Sequence, residues 1–177
     1  MLDWRNFKQK LNMAKITLGG KETHTNGELP AIGTPIKNYT FVKNDMSAVQ
    51  LADFKGKKVI LNIFPSIDTG VCMASVRKFN EEAAKLSNAA VLCVSKDLPF
   101  ALNRFCGAEG IENVTVASDF RTPEFAEDMG LKIAEGAFSG LNSRVIIVLD
   151  EEGKVKYTEQ VPEIGQEPNY SAALAAV

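Results

Sequence analysis

The chain has 177 residues, enough for one domain whose hydrophobic core needs no metal or disulfide to stabilise it. With 45% hydrophobic residues, 24% charged residues and a net charge of −2, it is not basic enough to suggest nucleic acid or an anionic membrane as a partner. No apolar run approaches the roughly 18 residues of a membrane span, and the N-terminus lacks the apolar stretch of a signal peptide, so we expect a cytoplasmic protein. The single histidine, His24, argues against a histidine-rich zinc site, and we expect neither a metal nor a cofactor.

The first residues differ from the rest of the chain in being mostly polar. Residues 1–12 are predicted to form a flexible extension ahead of a single domain over residues 13–177. In the alternative interpretation, Trp4, Phe7 and Leu11 align on a short helix that docks on the domain or on a neighbouring subunit.

Beyond the extension, period-two and helical patterns follow one another with clear turn signals. Strands are predicted over 15–18, 22–25, 39–42, 59–64, 89–95, 114–117, 144–149 and 154–161, with a short strand and turn over 49–56. Helices are predicted over 73–86, 99–105, 123–130 and 170–177. Alternating strands and helices in the middle imply parallel strands, and the last hairpin adds antiparallel ones. The order predicts a thioredoxin-like α/β fold: a mixed central sheet flanked by helices, with an additional N-terminal β-hairpin.

Cys72 occupies a special place in this pattern. It follows the apolar strand over 59–64 and lies in the first turn of the next helix. Unpaired N–H groups and the helix dipole stabilise a thiolate there, and open α/β sheets bind ligands beyond the carboxyl ends of their strands. The alternative is an inert buried thiol, which is the commonest fate of a free cysteine.

Three further residues are candidates for binding an electrophile beside Cys72. Pro65 has no N–H and would shield the sulfur without donating a competing hydrogen bond. The Thr69 hydroxyl is expected to accept a backbone N–H and to donate to a bound oxygen. Arg144 begins the predicted strand over 144–149, where its guanidinium would stabilise a thiolate and a leaving oxygen; an ordinary surface arginine is the alternative.

The spacing of Thr69 and Cys72 also shows which chemistry is missing. A disulfide oxidoreductase of this fold would carry Cys-x-x-Cys, whereas here the first position is threonine. Residues 64–72, Phe-Pro-Ser-Ile-Asp-Thr-Gly-Val-Cys, instead resemble the peroxiredoxin motif Pro-x-x-x-Thr-x-x-Cys. Together with the blocks at 75–80, 96–101 and 104–110, they are similar to the bacterial thiol peroxidases, which are atypical two-cysteine peroxiredoxins. The resemblance extends from about residue 16 to residue 175.

This resemblance implies a role for each candidate. Cys72 matches the peroxidatic cysteine and Cys106 the resolving cysteine, while Pro65, Thr69 and Arg144 match the residues that hold the peroxide. The implied antioxidant cycle takes Cys72 to a sulfenic acid, closes an intramolecular Cys72–Cys106 disulfide, and uses thioredoxin to reduce it. Since Cys106 is predicted to end the helix over 99–105, closing the bond requires local unwinding.

The resemblance also bears on substrates and assembly. It implies a homodimer, and it favours alkyl or lipid hydroperoxides over hydrogen peroxide. Apolar residues predicted around the site agree with that preference: Phe64, Ile67, Val71, Phe138 and Leu141. Cys93, inside the strand over 89–95, is predicted to pack in the core.

Three other hypotheses stay open on the sequence. The chain could be a peroxiredoxin in which Cys106 is idle. It could be a redox sensor whose disulfide changes binding to a partner protein. It could also be a thioredoxin-fold module without chemistry, in which case replacing Cys72 would change no activity.

Overall fold

The computed structural model describes residues 13–177, so the predicted extension over residues 1–12 lies outside the described residues. The strands are β1 Lys15–Leu18, β2 Lys21–His24, β3 Thr40–Lys43, β4 Ala48–Gln50, β5 Lys58–Ile63, β6 Ala89–Ser95, β7 Thr115–Ser118, β8 Val145–Leu149 and β9 Val155–Gln160. The helices are α1 Gly70–Ala83, α2 Pro99–Glu109, α3 Pro123–Asp128 and α4 Tyr170–Ala175, with a 3-10 turn over Leu51–Phe54. Within this part of the chain, no helix is both long and apolar enough to cross a membrane.

A mixed sheet forms the centre of the fold. Its strand order is β4-β3-β7-β6-β5-β8-β9, and β1 and β2 pair separately as a two-stranded hairpin. The pairs β5–β6 and β6–β7 are parallel, whereas β8 runs antiparallel to both β5 and β9. The predicted mixed sheet with flanking helices and an N-terminal hairpin is therefore confirmed.

Strand β5 is buried on both faces and divides the core in two. Because successive side chains of a strand point to opposite faces, Ile60 packs with α1 and α2, while Leu61 and Ile63 pack on the other side with Phe41 and Phe125. Burying β5 on both sides explains why its sequence is mostly apolar rather than alternating, with the buried Asn62 as the exception.

All three cysteines lie in the core half that contains α1 and α2. Cys93 is fully buried in β6, which confirms its predicted place in the core. Burial raises the pKa of the Cys93 thiol to about 12, although the Asn62 amide Nδ2 donates to the sulfur at 3.5 Å. A thiol held protonated in this way is a poor nucleophile.

Helix α2 is longer than the sequence predicts. It continues through Cys106 to Glu109, so the prediction that it stops near Cys106 and Gly107 is wrong. The residue that ends it is Gly110, which takes the left-handed conformation at φ 63°. Gly107 is tolerated within the helix because an interior glycine costs only about 1 kcal/mol relative to alanine. Cys106 is consequently part of the helix.

Candidate active site

Cys72 and Arg144, which are far apart in sequence, meet at one end of the sheet. The carboxyl end of β5 leads into the loop before Cys72, and Ile63 at that end is paired with Val145, the first residue of β8. Arg144 directly precedes β8, and its Nη2 donates to Cys72 Sγ at 3.3 Å. The antiparallel pairing of β5 and β8 thus brings the predicted cation to the predicted nucleophile.

Arg144 is an interior residue, with 2% of its surface exposed. Its Nε donates to the Ile164 carbonyl at 2.9 Å, which fixes the plane of the guanidinium. Its Nη1 is buried and has no hydrogen-bond partner among residues 13–177. A buried donor without an acceptor costs about 1–3 kcal/mol, so this N–H is suited to a bound oxygen. The alternative of an ordinary surface arginine is wrong.

Thr69 occupies the N-cap of α1, and Cys72 is the third residue of the helix. The Thr69 hydroxyl does not accept a backbone N–H, so that part of the expectation is wrong. It donates instead to the Ser66 carbonyl at 3.1 Å, because the loop turns back within reach of the side chain. A hydroxyl that has donated its proton presents its lone pairs, so Thr69 is arranged to accept an O–H from a ligand.

An open pocket of about 230 Å³ lies over these groups. Thr69 and Arg144 contribute polar groups to its lining, and Pro65 lines it beside them. Its apolar wall consists of Leu18, Val71, Phe138 and Ile164. The pocket therefore combines hydrogen-bonding groups at its base with an apolar side that suits a hydrocarbon substituent.

The five apolar residues expected at the site have separate positions. Val71 and Phe138 line the pocket. Phe64 and Ile67 are buried in the core half that contains Cys72, and Leu141 packs in a smaller cluster with Ile164.

Leu18 and Ile164 were not expected at the site. The β1–β2 hairpin reaches it because Thr17 exchanges backbone hydrogen bonds with the segment after β9, donating to Pro162 at 2.7 Å and accepting from Ile164 at 2.9 Å. No local sequence pattern indicates that pairing.

Asp97 is a site residue that sequence reasoning missed. Its carboxylate accepts from the Ser66 hydroxyl at 2.7 Å, the Ile67 N–H at 2.6 Å and the Ser95 hydroxyl at 2.6 Å. Because β5 and β6 are parallel neighbours, the loop after β6 lies beside the loop that leads to Cys72. Asp97 therefore anchors the Cys72 loop to the sheet. A short Ser-x-Asp sequence at the end of β6 was the available signal.

Replacing Asp97 with alanine is expected to destabilise the fold by about 1–3 kcal/mol, because three donors lose their acceptor. The reaction of Cys72 with peroxide should slow as well, since the loop that carries Pro65 and Thr69 loses its anchor. Urea unfolding and stopped-flow oxidation would measure the two effects. Asp68→Ala is the control, because the Asp68 carboxylate pairs only at the surface, with Arg104 at 2.7 Å. Equal effects of the two variants would contradict the assignment.

Cys72 and Cys106 are both free thiols. Cys106 is 9% exposed, and burial raises the pKa of its thiol. Two ion pairs connect the elements that carry the cysteines: Arg77 of α1 binds Glu109 of α2 through two contacts of 2.6 and 2.7 Å, and Asp68 binds Arg104. These contacts stabilise the arrangement in which both helices are intact.

Comparison with known proteins agrees with this site. The Redoxin family matches residues 31–174. Thiol peroxidases of Corynebacterium glutamicum and Mycobacterium tuberculosis H37Rv are 56% and 58% identical to the chain over 165 residues, which cover 93% of this chain and 99% of each relative.

Solved structures give the same result. The crystal structure of a peroxiredoxin-like protein from Aquifex aeolicus is similar with a TM-score of 0.86 at 36% identity, covering 94% of this chain and 99% of that one. A thiol peroxidase from Chromobacterium violaceum, at 20% identity, shares the fold with a TM-score of 0.81, covering 91% of this chain and 93% of that one. The resemblance and the thioredoxin-like fold predicted from the sequence are confirmed, and the chain belongs to the Redoxin family, in the thiol peroxidase group of the peroxiredoxins.

Proposed function

We propose that this chain reduces hydroperoxides, with Cys72 as the nucleophile, and so serves in antioxidant defence. One observation carries the proposal: the Arg144 guanidinium donates to Cys72 Sγ at 3.3 Å and keeps a second buried N–H without an acceptor among residues 13–177. A cation in that position stabilises a thiolate before the reaction and a negative oxygen during it. The high identity to thiol peroxidases supports the same chemistry.

In the first step the Cys72 thiolate attacks the terminal oxygen of the hydroperoxide. An S–O bond forms, the O–O bond breaks, and the leaving oxygen departs as alcohol or water after taking up a proton. Arg144 stabilises the charge that develops on that oxygen, and Thr69 accepts the hydrogen bond of the attacked O–H group. Pro65 covers the sulfur without offering it an N–H.

In the second step the Cys106 thiol displaces hydroxide from the Cys72 sulfenic acid, which yields a disulfide and water. A disulfide needs Cα atoms within about 7 Å of each other in a specific geometry. Because Cys106 lies inside α2 and is almost fully buried, we infer that part of α2 or the first turn of α1 unwinds before the bond closes. A thioredoxin dithiol then reduces the disulfide by thiol–disulfide exchange.

Replacing Glu109 with glutamine removes its ion pair with Arg77, which stabilises the protein only while both helices are intact. Because an exposed ion pair contributes little free energy, disulfide closure is expected to accelerate only about two- to fivefold. Quenched-flow mass spectrometry of the disulfide would give the rate. Glu81→Gln is the control, because Glu81 pairs only with Lys78 of its own helix. Slower closure in the Glu109 variant would contradict a role for this pair in holding the helices together.

The pocket also supports finer proposals. Its apolar wall favours alkyl and lipid hydroperoxides, with hydrogen peroxide as a smaller substrate.

We propose a homodimer, since Leu98 and Phe100 expose 52% and 69% of their surface at the start of α2, where a second copy would cover them. The reaction needs no cofactor, and we assign it to the cytoplasm.

The test begins with one equivalent of tert-butyl hydroperoxide added to the reduced protein. The expected product has lost two hydrogens and contains a peptide that joins Cys72 to Cys106, whereas Cys72→Ser stays unchanged. A persistent Cys72 sulfenic or sulfinic acid would instead show that Cys106 is idle. Peroxide-dependent oxidation of NADPH through thioredoxin and its reductase then separates an enzyme from a sensor. A rate no faster than uncatalysed thiol oxidation would overturn the enzymatic proposal.

A further inference from the structure

Glu163 forms an unusually dense set of hydrogen bonds beside the pocket. It lies in the segment between β9 and α4, and its carboxylate accepts from the Thr17 hydroxyl at 2.7 Å and from the N–H groups of Gly19, Gly20 and Gly165 at 3.0 Å each. Three of these donors belong to the N-terminal hairpin and one to the segment after β9. The carboxylate therefore joins two parts of the chain that are far apart in sequence.

The hairpin turn is shaped to present its donors. Gly19 and Gly20 both have positive φ, at 59° and 77°, a conformation that glycine adopts at little cost. It directs their two consecutive N–H groups toward the same carboxylate. The hydrogen bonds, that of Gly20 foremost, hold the pKa of Glu163 at about 2. The group is thus ionised at any physiological pH, and its hydrogen bonds are charge-assisted.

The residue after Glu163 connects this arrangement to the nucleophile. The Ile164 carbonyl accepts the Nε–H of Arg144 at 2.9 Å, and the other arm of that guanidinium contacts Cys72 Sγ. Ile164 and Gly165 also line the pocket, together with Leu18 of the hairpin. A displacement of the segment at Glu163 would therefore move the acceptor that orients Arg144.

We propose that Glu163 is a positioning residue for the peroxidase reaction: by binding the β1–β2 turn, it fixes the Ile164 carbonyl that orients Arg144 against Cys72. This inference rests on the proposed function. Its physical basis is that reaction rates depend steeply on the placement of charged groups, whereas the free energy of unfolding depends on how much hydrogen bonding and packing a substitution removes. The two consequences are separable by experiment.

Glu163→Gln is the principal variant, because glutamine keeps the size of the side chain but replaces one acceptor oxygen with an NH2 that faces N–H donors. The matched control is Asp150→Asn. Asp150 accepts from the N–H groups of Glu152 and Lys154 at 2.9 and 2.8 Å, and it closes the β8–β9 turn at the end of β8 opposite Arg144. Both substitutions disturb a turn that a carboxylate stabilises. Only the turn bound by Glu163 is connected to the Ile164 carbonyl, which accepts the Nε–H of Arg144.

The measurement is the second-order rate of Cys72 oxidation by tert-butyl hydroperoxide as a function of pH, alongside the melting temperature. We expect Glu163→Gln to slow the reaction about tenfold at pH 7 and to move the rise of rate with pH to higher pH. Asp150→Asn should lower the melting temperature while leaving the rate and its pH profile unchanged. A lower melting temperature with an unchanged profile in Glu163→Gln, or equal slowing in both variants, would overturn the inference.

Two additional measurements keep the outcomes distinct. If Glu163→Gln does not fold, Thr17→Val replaces it, since valine retains the strand and removes the hydroxyl that contacts Glu163 at 2.7 Å and the Pro162 carbonyl of the same segment at 3.2 Å; a rate equal to that of the wild type would then overturn the inference. The wild-type protein and Cys72→Ser are measured in the same series. Failure of the wild type to react would refute the proposed function itself, whereas a reacting wild type with an unaffected Glu163 variant would refute only the positioning role.

Discussion

Arg144→Ala should react with hydroperoxide about 10²–10³-fold more slowly than the wild type at pH 7, which is the usual effect of removing one preorganised donor from a developing oxyanion. The guanidinium contacts the Cys72 sulfur through Nη2 and has Nη1 available to bind the substrate oxygen, so the substitution removes stabilisation from both the thiolate and the transition state. The remaining reaction should also require higher pH, because the thiolate has lost its cation.

Stopped-flow oxidation across pH would measure this effect, with two comparison variants. Arg144→Lys keeps the charge, but a single ammonium is a poor substitute for a fork that binds Cys72 and the Ile164 carbonyl together, so we expect an intermediate rate. Arg121→Ala removes an exposed arginine that stacks on Phe120 and should leave the rate unchanged. A folded Arg144→Ala protein that reacts at the wild-type rate would remove Arg144 from the site.

Cys106→Ser should retain the first oxidation of Cys72 but lose all later turnovers with thioredoxin. Serine cannot form the disulfide, so one equivalent of peroxide should leave Cys72 as a sulfenic acid with no thioredoxin-dependent turnover after it. Excess peroxide should then convert that sulfenic acid to sulfinic acid. The pocket and the Arg144 contact do not involve Cys106, so the rate of the first step should be preserved.

The coupled NADPH assay and intact-protein mass spectrometry together test this prediction. Cys93→Ala is the matched control, because Cys93 lies in the same half of the core but is fully buried in β6. It should cycle with thioredoxin like the wild type. Sustained turnover in Cys106→Ser would show that another thiol, or the reductant itself, resolves Cys72.

Local sequence patterns were sufficient to predict most of the fold and the place of Cys72 in the first turn of α1. The apolar run of β5 and the helical spacing of α1 each extend over many residues, so their burial is encoded locally. Element ends were predicted less well: α1 spans Gly70–Ala83 instead of residues 73–86, and α2 continues past its predicted end. A glycine within a helix and a glycine that terminates one look alike in sequence until the backbone conformation is known.

The interactions that complete the site were beyond sequence reasoning for a different physical reason. The anchoring of the Cys72 loop by Asp97 and the binding of the hairpin by Glu163 are hydrogen bonds between segments that are distant in the chain. Their energies depend on how strands are ordered and on where loops cross, and no local propensity encodes either. Arg144 was found only because it begins an apolar strand and because the resemblance pointed to it.

The pairing of β5 with β8 restricts where residues can be inserted or deleted without loss of activity. Since Ile63 opposite Val145 sets the separation of sulfur and guanidinium, slipping β8 by one residue would turn Arg144 to the opposite face of the sheet. A slip of two residues would carry it about 7 Å away from the thiol. We therefore expect a single inserted or deleted residue within either of these two strands to abolish the reaction even if the protein still folds.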